Sequence, residues 1–179
     1  MKSRVIIIIL LALLVIGAGI TGYFWLSRGT NTFDPENEVY TGDLAPDFSV
    51  QLLNGDTFTL SEHRGTVVVL DFWATWCGPC VAKMPTIQAL SEQFEDRVIF
   101  VGMNVGEPQS RVQEFIDERG FTFPIGLDNN GYIHRNLYPS PGVPYMVIIN
   151  GDGMITATFL GGGVGLQEIY ETAILEALG

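Results

Sequence analysis

The chain is poor in the residues from which metal centres are built. Its 179 residues include two cysteines and two histidines, and His63 and His134 stand apart from each other and from the cysteines. A structural zinc site needs four ligands, so zinc does not account for the cysteine pair and no metal ligand is expected. Covalent haem attachment is served no better, because Val81, not histidine, follows Cys80. Positive charge is also scarce: nine Lys and Arg stand against 20 Asp and Glu, a formal net charge of −11. A nucleic-acid binder needs a basic footprint, and docking on an anionic lipid surface needs the same sign. Neither partner fits, and scattered acids read as a solvated surface. There is no internal repeat and no low-complexity tract.

What the chain does have is one long apolar run. Val5–Leu26 carries no charge and is dominated by Ile, Leu and Val. A helix rising about 1.5 Å per residue crosses the hydrocarbon core in roughly 20 such residues. The run exceeds the roughly 7–15 residues of a signal-peptide core, no small-residue cleavage site follows it, and no cysteine lies near its end for lipid attachment. Lys2 and Arg4 precede it and every acidic residue lies beyond it. The positive-inside rule then keeps residues 1–4 cytoplasmic and puts the rest outside the cell membrane. The expectation is an uncleaved single-pass anchor over 5–26, an acidic tether over 27–42 and one domain over 43–179.

Within that domain the periodicities alternate. Thr57–Leu60 reads as a short strand after the Asn54-Gly55-Asp56 turn. Thr66–Trp73 (TVVVLDFW) is a nearly continuous β-branched and aromatic run, as in a strand buried on both faces. Ile87, Leu90 and Phe94 follow at helical spacing, and Val98–Val105 is a second buried strand. Pro108 opens a helix with Val112, Phe115 and Ile116 on one face and Gly120 past its end. Pro144–Ile149 and Met154–Phe159, joined by Asn150-Gly151-Asp152-Gly153, read as a hairpin. A helix over about Leu166–Leu178 closes the chain. The order describes an α/β sandwich with a mixed sheet.

Cys77 and Cys80 fall where the buried strand meets a helix. A purely structural disulfide remains an alternative, but so small a loop contributes little through closure entropy. C-x-x-C in a βαβ setting favours a redox pair, which needs no further cofactor. At a helix N-terminus, unpaired N–H groups and the positive end of the dipole favour thiolate over thiol. Cys77 is thus expected to be the exposed, acidified nucleophile. Cys80, about one turn on, is the resolving thiol. Gly78 admits a second chain, and Pro79 fits a first turn where its missing N–H costs nothing. Asp71 stands out inside an apolar strand. Its burial is costly without a task, desolvation raises its pKa, and it is suited to exchange a proton with Cys80; a wetter, inert position at the strand end is the alternative.

Asp71-Phe72-Trp73-Ala74-Thr75-Trp76-Cys77-Gly78-Pro79-Cys80 resembles the active-site stretch of thioredoxins almost residue for residue. Ala45-Pro46-Asp47-Phe48, Asn104-Val105-Gly106-Glu107 and Val143-Pro144 are similar to the TlpA/ResA group of anchored, redoxin-related thiol–disulfide oxidoreductases. The resemblance implies a thioredoxin-like fold from about residue 43 onward and a cis bond before Pro144. It also implies a substrate groove formed by Trp76, Gly78, Pro79, Val143 and Pro144, with Trp76 shielding the dithiol and Pro85 kinking the helix. Implied partners are disulfide-bearing exported proteins, apocytochrome c among them, and a membrane-embedded thiol transporter as electron donor. The chain departs from the group at Asp71, where many members carry Asn, and at Lys83, where some carry an active-site Glu. Gly102 stands where thioredoxins place a lysine beside the buried acid, and Tyr145 replaces a common Thr. Glu107 reads as an ordinary acid at a helix start. A disulfide reductase leads. An oxidase or isomerase on the same fold, and a tethered non-enzymatic binding module or chaperone, are the alternatives. A peroxiredoxin is disfavoured because Leu70 and Ala74 occupy the places of its Pro and Thr.

Overall fold

The computed structural model describes residues 41–162 and 165–179. The anchor expected over 5–26 and almost all of the tether over 27–42 lie outside these residues. Among the described residues no helix is long and apolar enough to cross a membrane.

Strand β1 (Ser49–Gln51) pairs antiparallel with β2 (Thr57–Thr59), and a 3₁₀ turn over Leu60–His63 leads into β3 (Val67–Trp73). Then come α1 (Gly78–Gln93), β4 (Val98–Val105), α2 (Gln109–Arg119), β5 (Ile125–Asp128), a π turn over Ile133–Leu137, the hairpin β6 (Tyr145–Ile149) and β7 (Ile155–Leu160), and α3 (Gln167–Leu178). The main sheet runs β5-β4-β3-β6-β7, with β3, β4 and β5 parallel and β6 and β7 antiparallel to their neighbours. This is the mixed sheet of a thioredoxin-like fold. Sequence reading found the long strands but not β1 or β5, three- and four-residue pieces too short to show a period of two.

Strand β3 is buried along its whole length, and its alternation distributes the core. Val67, Val69 and Trp73 pack with Met84, Ile87 and Leu90 of α1 and with Tyr170 and Ile174 of α3. Val68, Leu70 and Phe72 pack on the other face with Phe48, Phe58 and Tyr138. Each such side chain contributes about 1.5–3 kcal/mol on burial. Asp71 shares the odd-numbered face, so period two alone aims its carboxylate into the layer beneath α1 and α3. Helix α1 runs through Pro85, and α2 stops at Gly120, whose positive φ of 71° completes the left-handed cap.

Candidate active site

Cys77 and Cys80 form a disulfide, with Cα atoms 5.2 Å apart. Cys77 is the N-cap of α1, and its Sγ accepts the Cys80 backbone N–H at 3.2 Å. Gly78 and Pro79 fill the first turn, where an N–H has no helical partner to lose. The thiolate that reduction would leave at Cys77 therefore sits against the positive end of the α1 dipole.

The Val143–Pro144 bond is cis. The Val143 carbonyl oxygen lies 3.7 Å from Cys77 Sγ, so the turn before β6 borders the disulfide. Gly162 completes this edge: a side chain there would come within 3.0 Å of Pro144 and 3.2 Å of the Lys83 stem. One expectation is corrected. Cys77 is 5% exposed rather than open, because its sulfur is bonded to the fully buried Cys80 and faces the Val143 carbonyl. Trp76, expected to shield the dithiol, is 70% exposed. It sits in the turn closed by the Cys77 N–H to Ala74 carbonyl bond and presents its ring to solvent.

Beneath the disulfide lies a buried ion pair that the sequence did not reveal. Lys83 Nζ is 2.5 Å from Asp71 Oδ1, and neither atom has another hydrogen-bond partner among the described residues. Asp71 is 2% exposed and Lys83 1%, so the wetter strand-end alternative for Asp71 is not what the fold builds. Burial pushes the Asp71 carboxyl above its ordinary range, with the Lys83 ammonium pulling the other way. The Tyr170 hydroxyl, buried without a hydrogen-bond partner among the described residues, is raised to about 12 by burial and by the Asp71 charge.

Thioredoxins bring the cation from the strand position that Gly102 occupies here. That route is closed. Gly102 is the register partner of Asp71 on β4, and a Cβ on it would come within 2.8 Å of Phe123, 3.0 Å of Ile125 and 3.2 Å of Trp73 Nε1. The cation enters from the helix layer instead. Cys80, Lys83 and Ile87 lie three and four residues apart on α1 and share its buried face. A charge interrupting that apolar stripe, opposite an acid interrupting an apolar strand, was the signal that could have paired them.

A second undervalued residue holds the active-site loop. Glu107, just beyond β4, is buried. It accepts the Thr75 N–H at 2.7 Å, the Thr75 hydroxyl at 2.6 Å and the Asn104 amide at 2.8 Å. Arg111 Nε lies 3.4 Å from Glu107 Oε1, the oxygen that accepts the Thr75 hydroxyl, and donates to Thr75 Oγ1 at 3.1 Å. Burial raises the Glu107 pKa, but these hydrogen bonds and the Arg111 charge together outweigh it and leave the carboxyl below its ordinary range. Glu107 thereby fixes the backbone two residues before Cys77. No cluster of three or more His, Cys, Asp or Glu suited to a metal occurs among the described residues.

A thioredoxin-like sheet that presents a C-x-x-C disulfide at a helix start, beside a cis-proline turn, defines the class: a thiol–disulfide oxidoreductase working through its cysteine pair. The family model described as Redoxin matches residues 40–174, and the chain belongs to that family. The thiol-disulfide oxidoreductase ResA of Geobacillus kaustophilus (strain HTA426) is 33% identical over 162 residues, 90% of this chain and 91% of that protein. A crystal structure assigned as the thiol:disulfide interchange protein DsbE from Chlorobium tepidum superposes with a TM-score of 0.74 at 30% identity, over 79% of this chain and all of that one. A solution structure assigned as a protein disulfide isomerase from Bacteroides thetaiotaomicron gives 0.72 at 32%, over 78% and 91%. The protein is an oxidoreductase of the ResA/DsbE type.

Proposed function

We propose that the protein is an anchored, extracytoplasmic reductase of disulfides in exported proteins, apocytochrome c among its candidate clients. The observation that carries this reading is the placement of Cys77 Sγ at the α1 N-terminus, 3.7 Å from the carbonyl before cis-Pro144. An extended segment pairing with the Val143 backbone would lay its disulfide against that sulfur. Trp76, Gly78 and Pro79 would border it.

In the reduced enzyme the Cys77 thiolate attacks one sulfur of the client disulfide, and the client's other sulfur leaves as a thiolate. Cys80 passes its proton to the Asp71 carboxylate and attacks Cys77 Sγ. The second client sulfur leaves, the Cys77–Cys80 disulfide forms, and two electrons have moved to the client. Recharging in an oxidising compartment requires a dithiol donor, for which we propose a membrane-embedded thiol transporter. The membrane placement rests on Val5–Leu26 and its flanking charges.

Replacing Cys80 by Ser strands the mixed disulfide at Cys77 and allows clients to be identified. Recovery of exported disulfide proteins supports the reading, and apocytochrome c would specify it; failure to trap any exported protein counts against it. The direction is read from the reduction potential. A value near that of thioredoxin, about −270 mV, fits a reductase, whereas one near about −120 mV, as for DsbA, supports the oxidase or isomerase alternative that the Bacteroides similarity raises.

A further inference from the structure

His134 stands alone in the sequence, yet it is buried and tied to the cis-proline turn. Its backbone position is set from β5: Asp128 accepts the Ile133 N–H at 3.2 Å and the His134 N–H at 2.9 Å. The imidazole packs against Phe72, ring centres 5.4 Å apart, and its Nε2 lies 2.9 Å from Ser140 Oγ. The Ser140 hydroxyl donates to the Gly142 carbonyl at 2.7 Å.

A hydroxyl has one proton. Since Ser140 gives its proton to Gly142, the His134 contact is an Nε2–H donated to Ser140 Oγ. Burial lowers the His134 pKa, with the Asp128 charge and the Gly142 backbone carbonyl opposing and Arg135 reinforcing. The ring is therefore held as the neutral Nε2–H tautomer. The line His134–Ser140–Gly142 ends one residue before the Val143 carbonyl that faces Cys77.

We propose that His134 is a positioning residue for protein substrates: through Ser140 it fixes the Gly142–Val143 backbone against which the client segment must pair. This rests on the reading that exported protein disulfides are the substrate class. His134 touches neither sulfur. Its loss lets the turn before Pro144 adopt more than one arrangement, which weakens binding of an extended chain and leaves the dithiol's intrinsic reactivity alone. A small disulfide that needs no backbone pairing does not sense it.

The test uses the full-length chain with dithiothreitol as reductant and two probes: insulin as a protein disulfide and 5,5′-dithiobis(2-nitrobenzoate) as a small one. His134→Phe keeps a ring against Phe72 and removes the donor. Ser140→Ala, at a half-buried position, removes the bridge and keeps the test open should the first variant not fold. Each is expected to raise the insulin KM about two- to ten-fold, the worth of one hydrogen bond. The insulin kcat, the small-disulfide rate and the reduction potential should stay unchanged, and His134→Gln, which restores a donor, should recover most of the loss. An unchanged insulin KM in folded variants overturns the proposal. So does a small-disulfide rate that falls in parallel, since that marks general damage. If the wild-type chain reduces the small probe but never insulin, the protein-disulfide reading itself fails.

Discussion

Removing Lys83 should cost far more than removing an ordinary surface lysine, and the cost should vanish when its partner goes too. The side chains of Lys83 and Asp71 are 0% and 3% exposed, so no solvent screening softens the loss. Breaking a buried pair from one side leaves an uncompensated charge, at about 3–5 kcal/mol. Lys83→Met retains the stem and deletes only the ammonium. With a urea m-value of about 2 kcal/mol/M, the midpoint should fall by roughly 1.5–2.5 M at pH 8. Asp71→Leu combined with Lys83→Met swaps the whole pair for apolar groups and should recover most of that loss. The pH dependence has a definite sign. Asp71 already titrates above its ordinary 3.8, and without the ammonium it titrates higher still. Between 3.8 and the folded value the native state binds more protons than the unfolded chain, so stability falls as pH rises through that window. Lys83→Met should therefore lose stability toward alkaline pH more steeply than wild type. On the proposed proton route, in which Asp71 must be ionised to accept the Cys80 proton, the onset of turnover should shift to higher pH. A Lys83→Met midpoint within about 0.5 M of wild type, or a double variant no more stable than the single one, would refute the pairing and the proton route built on it.

Two further outcomes follow from the geometry around that pair. Gly102→Ala places a methyl 2.8 Å from Phe123 and 3.0 Å from Ile125, an overpacking that should lower stability by about 1–3 kcal/mol in chemical denaturation; an unshifted midpoint would show that the layer has room. Glu107 ionises below its ordinary 4.5, so its contribution is present above that value and is lost as pH falls through the folded pKa. Glu107→Gln should flatten the acid limb of the stability curve, and parallel limbs in the two proteins would contradict the clamp on Thr75.

The difference between what could be read and what could not has a physical basis. Strand β3 was legible because burial on both faces forces an unbroken apolar run, and the same run made Asp71 conspicuous. The cysteine pair was legible because its chemistry requires a fixed spacing at a helix start. Lys83 was not, because its meaning depends on which strand its helix covers. Tertiary packing sets that relation, and three residues' distance from Cys80 does not encode it. Glu107 was discounted as a common acid at a helix start, yet it reaches back across the sheet end to Thr75, a contact 32 residues away in sequence. His134 looked isolated for the same reason: its partner Ser140 lies six residues on, across a π turn that no periodicity announces.

The relocated lysine also bears on how the site works. A cation on β4 would tie the buried acid to the sheet, leaving α1 free of that charge. Here the acid on β3 is joined to α1, the element that carries both cysteines, one turn beyond Cys80. The ammonium and the resolving thiol share a helix face, so whatever proton Asp71 takes from Cys80 is taken in the field of a charge rigidly placed relative to that thiol. The two influences on Asp71 oppose each other: burial, the larger, favours the protonated acid, while the Lys83 ammonium favours the carboxylate. On the proposed proton route, burial helps Asp71 accept the Cys80 proton as the resolving thiolate attacks, and the ammonium helps it give that proton up once the disulfide has formed. Such a base resets itself for the next cycle, and Gly102, by refusing a side chain, leaves the helix as the source of the charge that resets it.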